Sequence, residues 1–93
     1  MYYLLLYKTI PDYLERRAPH RTSHFAHAAE AVGRGVLLLG GAFEAPADGA
    51  ALVFHTDDPK VVANFAENDP YVKNGLIESY EIRKWTVVLG SKF

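Results

Sequence analysis

The order of strand-like and helix-like segments most constrains how this chain can fold. Segments rich in branched and aromatic residues, typical of β-strands, cover residues 2–10, 36–43, 50–56 and 76–89. Helical patterns cover residues 13–18, 20–34 and a segment that begins at Asp58-Pro59 and ends at Pro70. The resulting order, β-α-β-β-α-β, predicts an α+β, ferredoxin-like fold with an antiparallel sheet. We expect one domain that spans residues 1–93.

The long helix over residues 20–34 carries an apolar stripe that predicts its orientation. The stripe recurs at i, i+3, i+4 and i+7 and consists of Phe25, Ala28, Ala29 and Val32. With Phe25 at its centre, the stripe includes Arg21 and has His24 at its edge. His20 and His27 are expected to face solvent. A buried Arg21 would need a counter-charge or a ligand; alternatively, it extends to water at the start of the helix.

The strands are apolar on both faces, which predicts that both faces of the sheet are covered. In the first strand Leu4 and Leu6 lie on one face, whereas Leu5 and Tyr7 lie on the other. Two helices can cover only one face of a four-stranded sheet. The other face is therefore expected to pack against a second copy of the chain in an isologous homodimer.

The last predicted strand changes its apolar phase part of the way along. Tyr80 and Ile82 are apolar in one phase, and Trp85, Val87 and Leu89 in the other. Because a shift of one residue moves every later side chain to the opposite face, this pattern predicts a β-bulge near residues 83–84.

The composition excludes several function classes. A formal net charge of −1 argues against a general nucleic-acid binder, which carries a basic excess. No apolar stretch approaches the ~20 residues of a membrane span, and the N-terminal run lacks the basic start of a signal peptide. The absence of cysteine agrees with a cytoplasmic setting. Arg16 and Arg17 are interpreted as part of a solvated helix face.

Two separate motifs, Arg21-Thr22-Ser23-His24 and Asn68-Asp69-Pro70-Tyr71, carry residues suited to acid–base chemistry. Histidine can accept and return a proton near neutrality. A carboxylate behind His24 would orient its ring and stabilise the imidazolium, and Asp69, on the apolar stripe of the second helix, is the candidate. Asp69 can also be the N-cap of the turn that begins at Pro70. Tyr71 is a candidate donor to a substrate oxygen or a packing residue.

Other chemistries fit the sequence less well. His20, His24 and His27 have the i+4 and i+3 spacings that can place three imidazoles on zinc, but the predicted stripe turns His20 and His27 outward. Neither Ser23 nor Ser79 lies in a Gly-x-Ser-x-Gly nucleophile elbow. No P-loop or Gly-x-Gly-x-x-Gly motif indicates a nucleotide site. We therefore expect neither a metal nor a cofactor.

Several stretches together resemble the YciI-like (YCII-related) family. They are Leu14-Glu15-Arg16-Arg17, Arg21-x-x-His24, Gly35-Val36-Leu37-Leu38 with Gly40-Gly41, and Asp69-Pro70-Tyr71-Val72 with Gly75. The resemblance covers nearly the whole chain. It implies a ferredoxin-like fold, dimers of the α/β-barrel type, and an active-site cleft in which His24 and Asp69 form a pair, with Arg21 from the same helix motif.

The same resemblance implies a function. We expect a cofactor-independent lyase or isomerase, similar to a dehydrochlorinase of this family, that acts on a small anionic organic acid or phenol. His24 would move the proton, Asp69 would orient the imidazole, and Arg21 would hold the anion. The alternative is a non-catalytic dimeric module that binds a small metabolite in the same pocket.

Overall fold

The computed structural model describes residues 1–90 and has the predicted order of strands and helices. The strands are β1 (Tyr2–Thr9), β2 (Leu37–Ala42), β3 (Gly49–His55) and β4 (Ile77–Trp85), and the helices are α1 (Tyr13–Arg16), α2 (Arg21–Gly33), α3 (Pro59–Asn68) and α4 (Pro70–Lys73). A 3₁₀ turn at Ala18–His20 leads into α2. The strands form one antiparallel sheet in the order β2-β3-β1-β4. The predicted α+β fold is confirmed.

The hydrophobic core lies between the helices and one face of the sheet. Leu5 of β1 and Phe54 of β3 are fully buried there, and Val62 and Phe65 of α3 pack against them. The rings of Phe54 and Phe65 meet edge to face, with their centroids 5.1 Å apart. This core holds α3, and hence the chain that follows it, against the centre of the sheet.

The other face of the sheet is open in the single chain. Leu4 and Leu6 of β1 alternate with the core residues and are half-buried among their strand neighbours. Leu39 is paired with Val53 on the same side and is 59% exposed, and Trp85 is 45% exposed. The structure therefore has the uncovered apolar face that the sequence predicts, while the dimer itself stays a prediction.

Two aspartate-proline pairs define the ends of the short helices. Asp58 is the N-cap of α3, and its Oδ1 accepts a hydrogen bond of 2.9 Å from the amide of Lys60. Asp69 is the N-cap of α4 and accepts a bond of 2.9 Å from the amide of Tyr71. Both predicted helix starts are confirmed.

The predicted end of the last strand is wrong. β4 ends at Trp85, and its pairing with β1 runs in register from Ser79 to Trp85, without a bulge at residues 83–84. The shift in register lies instead between Lys8 and Thr9 of β1. Ile82 pairs opposite the core residue Leu5, whereas Trp85 lies on the open face. The change of apolar phase within β4 therefore has no bulge behind it. The apolar side chains lie on the core face of the sheet at Ile82 and on its open face at Trp85.

The predicted orientation of α2 is also wrong, by one residue position. Phe25 and Val32 are each 53% exposed, whereas Ala31 is only 1% exposed. His24 and His27 turn inward, and the Nε2 of His27 lies 2.8 Å from a backbone carbonyl of α3. Because Ala31 has a short side chain, α2 can approach the sheet there, and both histidines find hydrogen-bond partners inside.

Within residues 1–90, no helix is long and apolar enough to cross a bilayer.

Candidate active site

A fully buried carboxylate lies at the centre of the candidate site. Asp69 has no exposed surface, and three donors surround it. Its Oδ1 accepts from the Nδ1 of His24 at 2.8 Å and from the amide of Tyr71 at 2.9 Å. Its Oδ2 accepts from the hydroxyl of Tyr7 at 2.7 Å. These bonds compensate for the cost of burying the charge.

The contact with Asp69 determines the tautomer of His24. An ionised carboxylate can only accept, so Nδ1 carries the hydrogen and Nε2 is left with its lone pair. No protein group within residues 1–90 bonds to Nε2. The side chain of His24 is 16% exposed and lines a cleft beside α2. The imidazole of His24 can therefore act as a base through Nε2, while its Nδ1 is hydrogen-bonded to the carboxylate of Asp69.

The backbone explains how two distant motifs meet. Asp69 is the residue between α3 and α4, and its extended backbone lets the chain turn from one helix into the other. Its side chain can therefore cap α4 and reach His24 at once. The structure brings together the two residues predicted to form a pair, and the capping and pairing contacts coexist on Oδ1.

Tyr7 is a member of the site that sequence reasoning missed. Burial and the neighbouring carboxylate of Asp69 both raise the pKa of its hydroxyl, so Tyr7 stays a donor across the physiological range. A signal did exist, because Tyr7 lies on the core register of β1 and a buried tyrosine hydroxyl usually needs a partner. The pattern could not indicate that this partner lies 62 residues further along the chain.

Tyr71 forms a flat wall behind His24. The two rings are parallel within 4°, with centroids 3.8 Å apart. Tyr13, also missed by sequence reasoning, packs its edge against Tyr71 at 5.7 Å. Burial, followed by the neighbouring Tyr13, raises the pKa of Tyr71 to about 12, although Arg17 and Arg21 act in the opposite direction. The structure shows the packing role of Tyr71, and its role as a substrate donor stays a prediction.

A cleft of about 360 Å³ lies in front of His24, between α2 and the sheet. This volume is within the range of small-molecule sites. The helix side includes Phe25, Ala28 and Val32, and the sheet side includes residues 40–42 of β2. The apolar stripe of α2 thus lines this cleft, which explains why Phe25 is exposed.

Two arginines line the same cleft. Arg21 is exposed and lies over the ring of Phe25, with its guanidinium carbon 5.1 Å from the centroid. The expectation that it lies on the buried stripe is wrong, and the alternative of an arginine that extends to water fits. Arg17, interpreted from the sequence as solvated, is half-buried and lies 5.3 Å from the centroid of Tyr13. Its position was not predicted.

The histidines do not gather around a common point. Within the described part of the chain, no group of three or more histidine, cysteine, aspartate or glutamate side chains could hold a metal ion. His24 bonds to Asp69, and His27 bonds to the carbonyl oxygen of Phe65 at 2.8 Å. The spacing that suggested zinc therefore has another explanation for these two histidines.

Solved structures share this fold. The 5-chloro-2-hydroxyhydroquinone dehydrochlorinase of Burkholderia phenoliruptrix, in complex with 2,5-dihydroxybenzoquinone, superposes with a TM-score of 0.78 at 23% identity, over 92% of this chain and 94% of that chain. A protein of Agrobacterium tumefaciens matches with a TM-score of 0.53 at 14% identity, over 100% and 96% of the two chains. At such identities the similarity shows the fold alone.

The sequence itself identifies the family. No curated protein sequence matches the chain. The model of the YCII-related domain, however, matches residues 1–86, which is almost the entire length. The resemblance inferred from the Arg21-x-x-His24 and Asp69-Pro70-Tyr71 motifs is thereby confirmed, and this chain belongs to the YCII-related family.

Proposed function

We propose that this protein is a cofactor-independent lyase or isomerase that acts on a small anionic organic acid or phenol. The observation that carries the proposal is the His24–Asp69 pair, with an Nδ1–Oδ1 distance of 2.8 Å at the wall of the cleft. A histidine supported in this way can take a proton from a bound molecule and return it.

In this mechanism, Nε2 of His24 takes a proton from a carbon or hydroxyl of the substrate. Asp69 stabilises the imidazolium that forms, because its charge lies directly behind the ring. In an isomerase, His24 returns the proton to another atom of the same molecule. In a dehydrochlorinase, the electrons of the broken C–H or O–H bond form a new double bond, and chloride leaves with the electrons of the C–Cl bond. His24 then releases its proton to water, which restores the base.

The composition of the cleft supports the proposed substrate class. Phe25 and Val32 provide apolar contact, and the guanidinium of Arg21 can hold an anionic oxygen. The structural neighbour from Burkholderia phenoliruptrix is a dehydrochlorinase of a chlorinated hydroxyhydroquinone, crystallised with a dihydroxybenzoquinone. We extend this ring chemistry to the present chain as part of the proposal.

We also propose that this protein forms a homodimer and that it works in the cytoplasm. The open face of the sheet carries Leu4, Leu6 and Val53 beside the exposed Leu39 and Trp85. Arg83 and Glu81 of β4 lie opposite Leu4 and Leu6, so the apolar part of this face extends mainly across β1, β3 and β2. An exposed apolar surface of this kind is typical of an association site. Two copies packed face to face would cover it and leave the helices and the cleft outside. The absence of cysteine supports the reducing compartment.

Proton transfer can be tested without knowing the natural substrate. Chlorinated and unchlorinated hydroxyhydroquinones and small ring acids are incubated with the protein in D₂O. Ring deuteration is followed by NMR, chloride release by ion chromatography and ring changes by ultraviolet absorbance. We expect turnover or exchange with at least one compound, and its loss in His24→Ala.

His20→Ala is the matched control, because His20 immediately precedes α2 and its ring has no hydrogen-bond partner within residues 1–90. It should keep the rate of the unmodified protein. A His24→Ala variant with the full rate would show that His24 is not the base. If compounds bind in the cleft but none exchanges or reacts, the non-catalytic binding module replaces this proposal.

A further inference from the structure

A continuous row of stacked and edge-packed groups crosses the candidate site. Tyr71 and His24 are stacked at its centre, with ring centroids 3.8 Å apart. Tyr13 packs against Tyr71 at 5.7 Å, and Phe25 lies beside His24 at 5.4 Å. These aromatic groups all line the cleft.

Each end of this row carries a guanidinium. Arg17 lies over Tyr13 and Arg21 lies over Phe25, at 5.3 and 5.1 Å from the ring centroids. A guanidinium stacked on a ring is held in place by the cation–π attraction, while its N–H groups remain free at the edge. Both cations therefore lie on rings that pack directly against the stacked pair of Tyr71 and His24.

The charges of both arginines are unpaired in the described part of the chain. Two other arginines differ: Arg16 has Asp12 as a partner at 3.9 Å, and Arg34 has Glu30 at 2.7 Å. Neither Arg17 nor Arg21 has an ion pair within residues 1–90, and the described lining of the cleft contains no carboxylate.

The two cations also act on the same point. Both guanidiniums oppose the effect of burial on the pKa of Tyr71, so both of their fields reach its hydroxyl. The nearby carboxylate of Asp69 lies behind His24, is fully buried and already accepts three hydrogen bonds. The described residues that line the cleft on the open side of the row supply no further anionic group.

We infer that Arg17 and Arg21 form a two-cation clamp that selects a planar, single-ring dianion, with one anionic oxygen group on each guanidinium. The inference rests on the proposed function for the location of the ligand, and it adds Arg17 as a specificity residue. The apolar contacts of Phe25, Ala28 and Val32 suit the face of the ring, and a cleft of about 360 Å³ accommodates one ring with its substituents. The ring then lies in front of His24.

Binding of simple probes tests the clamp independently of turnover. Phthalate, isophthalate and terephthalate supply the dianions, benzoate the monoanion and benzamide the neutral ring, each measured by titration calorimetry at low salt. We expect the best dicarboxylate to bind about tenfold more tightly than benzoate, the value of one additional charge-assisted contact. Added salt should reduce this advantage, because the arginines are near the surface.

Substitutions identify the responsible groups. Arg17→Met keeps the length of the stem and should reduce the affinity for the dicarboxylate to about that for benzoate. Arg16→Met is the matched control, because Arg16 is exposed and paired with Asp12, and it should leave both affinities unchanged. The clamp is refuted if no dicarboxylate binds at millimolar concentration, if none exceeds benzoate, or if the two variants behave alike.

The outcome separates the clamp from the proposed proton transfer. His24→Ala should keep the preference for the dicarboxylate while it loses turnover. A dianion preference without any turnover would support the clamp and contradict the catalytic proposal. Turnover without a dianion preference would support His24 as the base and overturn the clamp.

Discussion

Replacement of Tyr7 by phenylalanine tests how the buried carboxylate of Asp69 is stabilised. The substitution removes one oxygen atom and leaves the packing of the ring in the core unchanged. It also removes the 2.7 Å hydrogen bond to Oδ2 of Asp69, whereas the donors from His24 and Tyr71 both act on Oδ1. In Tyr7→Phe, a fully buried charged oxygen is therefore left without a protein donor.

The expected loss of stability follows from this unpaired oxygen. A hydrogen bond to a charged group contributes about 1.5–3 kcal/mol, and its loss in a buried place is not compensated by water. For a chain of 93 residues, the entropy of unfolding is about 0.2 kcal/mol/K. The free energy of unfolding should thus fall by about 2–3 kcal/mol and the Tm by about 10–15 °C.

Urea and thermal unfolding at neutral pH and equal protein concentration measure the change. Tyr80→Phe is the matched control, because Tyr80 is 38% exposed, touches the ring of Tyr7 and has no hydrogen bond from its hydroxyl within residues 1–90. Its effect should stay within about 0.5 kcal/mol. Equal stability of the two variants would refute the reasoning, since it would mean that Tyr7 contributes nothing to the burial of Asp69.

Further predictions concern pH, backbone packing and assembly. The contribution of Tyr7 and Tyr71 to stability should be complete below about pH 10 and be lost above it, because tyrosines of the unfolded chain ionise there while these two keep their protons in the fold. Tyr7→Phe should therefore show a shallower loss of stability in urea titrations from about pH 9 to about pH 11. Gly49→Ala would place a Cβ 2.6 Å from the carbonyl oxygen of Tyr7, so it should lower the free energy of unfolding by about 1–3 kcal/mol. Gly33→Ala is the control, because its Cβ would meet nothing within 4 Å. Thermal unfolding should show it to be neutral or slightly stabilising. The protein should sediment as a dimer, and Leu6→Lys as a folded monomer; a monomeric unmodified chain at micromolar concentration would contradict the proposed interface.

The element order and the helix starts could be predicted because their signals are local. A proline after aspartate limits the backbone within a few residues, and the structure has Asp58 and Asp69 as N-caps at the predicted places. The His24–Asp69 contact needed only one further step, since both residues were placed near the core by periodicity. Tyr7 and Arg17 were missed because their partners, Asp69 and the ring of Tyr13, are defined only by the folded chain.

The wrong orientation of α2 has a physical reason that bears on the site. An apolar stripe indicates that a helix face avoids water, but it does not indicate what covers that face. Here the stripe with Phe25 and Val32 lines the cleft, while the less apolar face with His24 and Ala31 packs inward. Such an arrangement leaves about half of each large apolar side chain exposed in the free protein, a cost that a bound ring would remove. The mismatch between the stripe and the core is therefore itself an argument that the cleft binds an apolar ring.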